Sequence, residues 1–178
     1  NTKLESLRNL AERYEGYGNS IRKIMEQKEQ NPGIHGVVAD LIKTEKKYET
    51  AIETALGGSL QNIVTDNENT AKYLIEYLKR GHFGRATFLP LTSMNREGGK
   101  VNGEALKGTG VLGTASGLVK CDAIYRGLVS QLLGRTLVVD TIDHAIALGR
   151  RFHQSLRMVT LEGELLSPGG SMTGGSFR

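Results

Sequence analysis

Between Leu4 and Lys28 the apolar positions recur at alternating three- and four-residue steps. Leu4, Leu7, Ala11, Tyr14, Gly18, Ile21, Met25 and Lys28 fall at the a and d positions of a heptad whose outer face carries Glu and Arg. This pattern predicts a coiled-coil arm over residues 1–30. Gly16 and Gly18 weaken it, each costing a helix interior about 1 kcal/mol, and the turn-forming Asn31-Pro32-Gly33 ends it. The alternative is one amphipathic helix packed on its own domain. From Gly33 the period alternates. HGVVADLI (35–42) reads as a strand, and KKYETAIETALGG (46–58) as a helix with Tyr48, Ile52, Ala55 and Leu56 on one face and Gly57 as its stop. LQNIVT (60–65) reads as a strand. NENTAKYLIEYLKRG (67–81) reads as a helix presenting Ala71, Leu74, Ile75 and Leu78, closing with Lys79 and Arg80 and stopping at Gly81, and GRATFLPL (84–91) as a strand cut off by Pro90.

Such a β-α-β-α-β series predicts a sheet with parallel pairs and helices packed on it. Residues 92–116 hold many of the chain's 23 glycines and few large apolar side chains, so they predict a mobile connector without regular elements. The alternation resumes at GLVKCD, followed by a helix (123–134), a strand (135–140) and a helix (141–152) that Asp140 or Thr141 caps. RMVTL, GELLSPGG and SMTGGSFR complete the chain. The expected fold class is α/β (mixed α+β): two small mixed-sheet subdomains, 33–91 and 117–178, joined by the connector and preceded by a coiled-coil helix.

With 178 residues, 38% of them hydrophobic, the chain can bury a real core. No apolar run approaches the roughly 20 residues of a membrane span, which predicts a soluble intracellular protein. The N-terminus has neither Met nor the apolar core of a signal peptide, as an excised fragment would. Cys121 is the sole cysteine, without a second thiol or a His beside it, and is expected to be a small core residue rather than a nucleophile. The net charge of +4 is modest, but its distribution is uneven. Lys79, Arg80, Arg85, Arg96, Lys100, Lys107 and Lys120 face only Glu97 and Glu104 across their span.

Candidate chemistry is sparse. GTGVLG (Gly108, Gly110, Gly113) matches the dinucleotide fingerprint G-x-G-x-x-G as a string, and a small nucleotide-binding domain or enzyme using that loop is the alternative function. Its context lacks the preceding strand and following helix that would bring backbone amides to a pyrophosphate. No phosphate-binding G-x-x-x-x-G-K-[ST] loop occurs. His35, His82, His144 and His153 lie far apart, without metal-ligand spacing. Asp140 and Asp143-His144 sit where carboxylates cap a helix, which explains them better than acid-base catalysis. SPGGSMTGGS, with Gly169, Gly170, Gly174 and Gly175 around Ser171, Met172 and Thr173, suggests bulges, positive φ angles or a close backbone approach. A flexible tail explains it equally well.

PGIHGVVADLI, KYETAIETALGGSLQNIVT, GRATFLPL, LLGRTLVVDTIDHAIALGRR and RMVTLEGELLSPGGSMTGGSF, in that order, resemble the hinge domain of a bacterial-type structural maintenance of chromosomes (SMC) protein. The likeness runs from about Gly33 to Phe177. It implies a homodimerising hinge joining the arms of a chromosome-organising ATPase that serves chromosome condensation and segregation, with the descending arm beginning past Arg178. It also implies a two-fold, ring-like dimer with strand edges paired across its interfaces, and a cytoplasmic, nucleoid-associated protein. Gly169, Gly170, Gly174 and Gly175, with Ser171, Met172 and Thr173, match the family's interface signature; the edge from Arg85 to Leu91, with Arg85, Thr87 and Leu89, is expected to face them. The family's DNA affinity implies sequence-independent phosphate contacts from Lys79, Arg80, Arg96, Lys100, Lys107 and Lys120. Arg22, Lys23 and Lys28, at the arm junction, are further candidates. ATP would bind at the distant heads. No catalytic, cofactor or metal residue, small-molecule substrate or membrane is expected for this chain.

Overall fold

In the computed structural model, which describes residues 4–6, 18–94, 96 and 98–176, the strands form three sheets. The first has the order β2-β4-β5, with β2 (Ile34–Val37) antiparallel and β5 (Phe88–Pro90) parallel to β4 (Ile63–Thr65). A parallel neighbour needs a crossover, and α4 (Glu68–Gly81) supplies it. Asn67 caps that helix by accepting a hydrogen bond from the Thr70 amide at 2.9 Å, while the Thr70 hydroxyl donates to Asp66. Gly81 is still helical. His82 takes the left-handed conformation (φ 55°) that ends the helix, and Gly81 is needed because a Cβ there would run into the returning ring of Phe83.

The second sheet has the order β11-β10-β9-β8-β6. β8 (Thr136–Val139) and β9 (Arg157–Thr160) are parallel and joined by α8 (Ile142–Arg151); β10 (Leu165–Leu166) and β11 (Met172–Thr173) follow as antiparallel neighbours. Alternation along the strands sorts the side chains to two faces. Leu137, Val139, Met158 and Leu166 cluster with Ala145 and Leu148 of α8. Val138 and Val159 face the other way, towards α3 (Glu49–Leu56) and α7 (Arg126–Leu133), in a core that also holds Ile24, Ile52, Ile63 and Leu74.

The two halves therefore share one hydrophobic core. The third sheet, β1-β3-β7, also joins them, because β3 (Lys43–Glu45) pairs with β7 (Val119–Lys120) and the Thr44 hydroxyl donates to the Leu118 carbonyl at 2.6 Å. Arg157 adds a further tie, donating to Thr136 Oγ1 at 2.7 Å and to the Ala55 carbonyl at 3.1 Å.

Several expectations from the sequence are corrected. Leu4–Ser6 is a strand, β1, paired with β3 rather than the first turn of a coiled coil; Leu7, Ala11 and Tyr14 lie outside the described residues. Residues 19–26 form α1 (Asn19–Glu26), whose Ile21 and Ile24 are buried in the domain's own core, as the single amphipathic helix of the alternative would be. HGVVADLI breaks after β2 into a short helix, α2 (Val38–Leu41), because a continuous apolar run has no period to distinguish strand from helix. The stretch 92–116 is not featureless. It begins on the last residues of α5 (Leu91–Met94) and contains α6 (Gly103–Leu106) and the edge strand β6 (Val111–Thr114). Ile75, expected on the buried face of α4, is 41% exposed, whereas Leu74 is 0% exposed.

At the start of α8, Thr141 Oγ1 accepts from the His144 amide at 3.2 Å, and Asp140 Oδ1 accepts from the Thr141 amide and pairs with His144 Nδ1 at 2.7 Å. The hydrogen bond with His144 holds the Asp140 carboxyl below its ordinary range, despite some desolvation. A depressed folded-state value stabilises the protein above the unfolded carboxylate pKa, near about 3.9, and this contribution is lost as the pH falls. His144→Ala is therefore expected to move the Asp140 titration up towards the ordinary range, read by carboxyl NMR, and to shrink the acid-dependent part of stability. In urea unfolding, Leu74→Ala, which empties a site that is 0% exposed, should cost about 2–5 kcal/mol.

Candidate functional site

Edge strands expose unpaired backbone groups, and proteins blunt the edges they do not use. In the first sheet the β2 edge carries a register shift between Ile34 and Gly36, and in the second the β6 edge carries one between Val111 and Gly113. The opposite edges, β5 and β11, pair with their inner neighbours without interruption. These two regular edges are the strands that the sequence singled out.

The β11 edge is built by its glycines. After β10 the chain turns through Ser167–Ser171, with the Ser167 amide donating to the Ser171 carbonyl (2.9 Å) and the Gly169 amide to the Gln154 carbonyl (2.7 Å). Gly169, Gly170 and Gly175 have φ of 95°, 108° and 129°, a region costly for any side chain. A Cβ on any of the three would meet no atom of its own chain within 4 Å, whereas one on Gly174 would press on Glu164 Cγ at 3.0 Å. The whole run from Gly169 to Gly175 is exposed, with Met172 at 51%. Met172 borders a cavity of about 410 Å³ with Ile146, Arg150, Met158 and Leu166, on the α8 face. Thr173 borders one of about 350 Å³ with Glu53, Thr54 and Gly163, on the α3 face.

Beside β5 runs a groove of about 490 Å³ between that strand and α4, lined by Ala71, Ile75, Ala86, Phe88 and Pro90 and by the charged Glu68, Lys72, Glu76 and Lys79. Arg85 and Thr87 are exposed as expected. Leu89 is buried (8% exposed) and points into the core, so its side chain cannot reach a partner. The period of α4 gave no warning of the groove, because Ile75 follows Leu74 and fits the same apolar stripe.

The candidate basic residues do not form one patch. The loop after α4 packs on α1: Ser20 donates to the Arg85 carbonyl at 2.7 Å, Asn19 to the Phe83 carbonyl at 3.2 Å, and Lys23 lies over the Phe83 ring at 4.9 Å. This gathers Lys23, Lys79, Arg80 and Arg85, with Arg22 exposed on the same helix as Lys23. Lys28 is exposed just beyond α1, and Arg96 and Lys100 are exposed in the stretch after α5. Lys107 lies 3.8 Å from Glu104, at the end of α6. Lys120 lies directly opposite Lys43 in the β3–β7 ladder, both exposed, a like-charge pair that distance along the sequence concealed.

The remaining candidates have packing roles. In the GTGVLG loop, Gly110 (φ 85°) lies so close to Asp140 and His144 that a Cβ would collide with both, and the loop leads into β6 rather than a helix. This is not the geometry that cradles a pyrophosphate. Cys121 is half-buried and accepts from Arg126 Nη1 at 3.6 Å. His35 Nδ1 lies 2.7 Å from the Tyr125 hydroxyl, and burial pushes the Tyr125 pKa up. Among the described residues no group of three or more His, Cys, Asp or Glu is placed to hold a metal, and no helix is long and apolar enough to cross a membrane.

Comparison with known proteins agrees with this geometry. Residues 31–149 match the family model described as the SMC proteins flexible hinge domain. The chain is 42% identical to the chromosome partition protein Smc of Bacillus subtilis and 40% identical to that of Lactiplantibacillus plantarum, each over 99% of this chain but only 15% of the relative's length. Its fold is similar to the crystal structure of an asymmetric dimer of the Geobacillus stearothermophilus SMC hinge domain (TM-score 0.84, 38% identity, 96% of this chain and 70% of that one). It is also similar to the Pyrococcus furiosus SMC hinge domain (TM-score 0.76, 35% identity, 97% and 88%). On the match across two thirds of its length and on these relatives, the chain belongs to the family of SMC hinge domains.

Proposed function

We propose that this chain is the joint of a homodimer: the β11 edge of one copy pairs with the β5 edge of the other, and a two-fold axis repeats the contact to close a ring. The observation that carries this reading is that β5 and β11 each end their sheet as a regular open edge, whereas the opposite edges of the same two sheets, β2 and β6, carry register shifts. Each edge has apolar surface beside it, Met172 on one and the groove along Ile75 on the other. Strand addition at both edges satisfies their backbone groups and buries that surface. The Geobacillus stearothermophilus hinge is described as an asymmetric dimer, which supports dimerisation here. In the full-length protein the joint would connect two coiled-coil arms, with ATP turned over at distant heads, in the cytoplasm and on the nucleoid in the service of chromosome segregation.

The second part of the reading is weak, sequence-independent DNA binding. Lys23, Lys79, Arg80 and Arg85 gather around the end of α4, and exposed lysines and arginines contact phosphates without reading base edges. Arg22, Lys28, Arg96, Lys100, Lys107 and Lys120 extend the candidate surface.

Sedimentation is expected to find a dimer at micromolar concentration. Met172→Glu, at an exposed position, should keep the fold by circular dichroism yet weaken the dimer at least about tenfold, the equivalent of 1.4 kcal/mol; a variant that dimerises like wild type contradicts the edge assignment. In gel-shift titrations, Lys79→Glu with Arg80→Glu should weaken DNA binding, and wild-type affinity should fall as salt rises. Binding that ignores salt would sink the DNA reading while leaving the joint intact.

A further inference from the structure

The structure assigns a second site to the face where β3 meets β7: a cationic cavity that takes a small dianion of the phosphate class, as inorganic phosphate or as the terminal phosphate of a small monoester. It uses no residue of the β5 or β11 edge, so it stands independently of the joint.

Lys43 and Lys120 lie directly opposite each other in the antiparallel β3–β7 ladder. Residues so related point to the same face, with Cβ atoms about 4.5–5.5 Å apart. Burial agrees with this, because the next pair, Thr44 and Val119, is buried on the other face while both lysines are exposed. Like charges in this relation oppose the ladder. Among the described residues neither lysine forms an ion pair. An anion seated between the two ammonium groups replaces their repulsion with attraction on both sides.

The fold brings further cations to the same place. Both lysines line a cavity of about 360 Å³ with Leu41, Cys121 and Tyr125. Arg126 follows Tyr125 at the start of α7, and its Nη1 lies 3.6 Å from Cys121 Sγ, which sets a guanidinium at the rim. Lys28 approaches from the end of α1. A Cβ on Gly36 would meet Lys28 Cε at 3.8 Å and Leu41 Cδ2 at 3.9 Å, so the Lys28 stem runs beside a residue of the lining. Four separate segments of the chain supply these cations, which is why no run of the sequence announces them.

Asp40 and Asp122 share the lining. Asp40 has its Oδ1 buried within the protein, and Asp122 is exposed beside Tyr125. The Tyr125 hydroxyl pairs with His35 Nδ1 at 2.7 Å, and burial, followed by the charge of Asp122, pushes its pKa up, so the phenol adds no negative charge. Lys28, Lys43, Lys120 and Arg126 against two carboxylates leave the cavity net positive.

Size and shape select the ligand. The volume falls within the range of about 300–1,000 Å³ typical of small-molecule sites. Duplex DNA carries one charge per about 1.7 Å of its axis and is met by cations strung along a track, whereas these converge on one hollow. Ammonium groups act as point charges with three donors each, and a guanidinium adds a planar fork, a set that matches the several oxygens of a phosphate group better than the two of a carboxylate.

Cys121, the chain's only cysteine, lies in the lining and reports occupancy. With ionic strength held constant by sodium chloride, inorganic phosphate is expected to slow alkylation of the Cys121 thiol by uncharged iodoacetamide, and to do so saturably. Lys43→Gln/Lys120→Gln, at two exposed positions, should keep the fold by circular dichroism and raise the phosphate concentration for half-protection at least about tenfold. Arg126→Gln reads the same site from another element should the double variant fold poorly. Amide resonances of Lys43, Lys120 and Cys121, expected to shift together in a phosphate titration, give a second readout that does not depend on thiol access. Phosphate that neither protects beyond the chloride control nor shifts these amides overturns the proposal, as does equal protection of wild type and the double variant. A short DNA duplex that protects Cys121 where inorganic phosphate does not overturns it too, because the cations then belong to the DNA-binding surface.

Discussion

Every backbone N–H and C=O that leaves water must find a partner, and in this molecule that requirement decides where a second chain can go. Helices satisfy their own groups and inner strands satisfy each other, so the unsettled groups lie at sheet edges. The β2 and β6 edges are interrupted by register shifts. The β5 and β11 edges stay regular and have apolar surface beside them, which is why they are the edges proposed to add a strand.

An edge is useful only if it is held still. Both usable edges are fixed by one core. Val138 and Val159, from the sheet that ends in β11, pack with Ile63 and Leu74, from the unit that carries β5, and the β3–β7 pair and Arg157 tie the same two halves. In the proposed assembly, two copies joined at rigidly spaced edges would make the contact twice, and each contact would raise the effective concentration for the other. The glycines serve this arrangement differently: positive φ at Gly169, Gly170 and Gly175 aims the short strand, while Gly174 leaves room for Glu164 inside its own chain.

Much of this was legible before any coordinates. The helices α4 and α8, the cap at Thr141, the parallel pairs and the glycine-rich end follow from period, punctuation and turn chemistry. What was illegible has physical reasons. Ile21 and Met25 fit a heptad seam and an ordinary core helix equally well, and tertiary packing distinguishes the two by burying Ile24, which lies off the seam. β6 hides in a glycine-rich stretch because an edge strand needs little apolar content of its own. The groove at Ile75 and the facing lysines at 43 and 120 arise from neighbours brought together by the fold, which no local pattern encodes.

Amide hydrogen exchange measured across a range of protein concentrations tests the central claim most directly, because it reports on the edge groups themselves. The account predicts that the Phe88 and Met172 amides exchange freely in dilute protein and become protected together as the dimer forms, while inner-strand amides such as Val138 stay protected throughout. A dimer that forms with both edge amides still exchanging freely would contradict it.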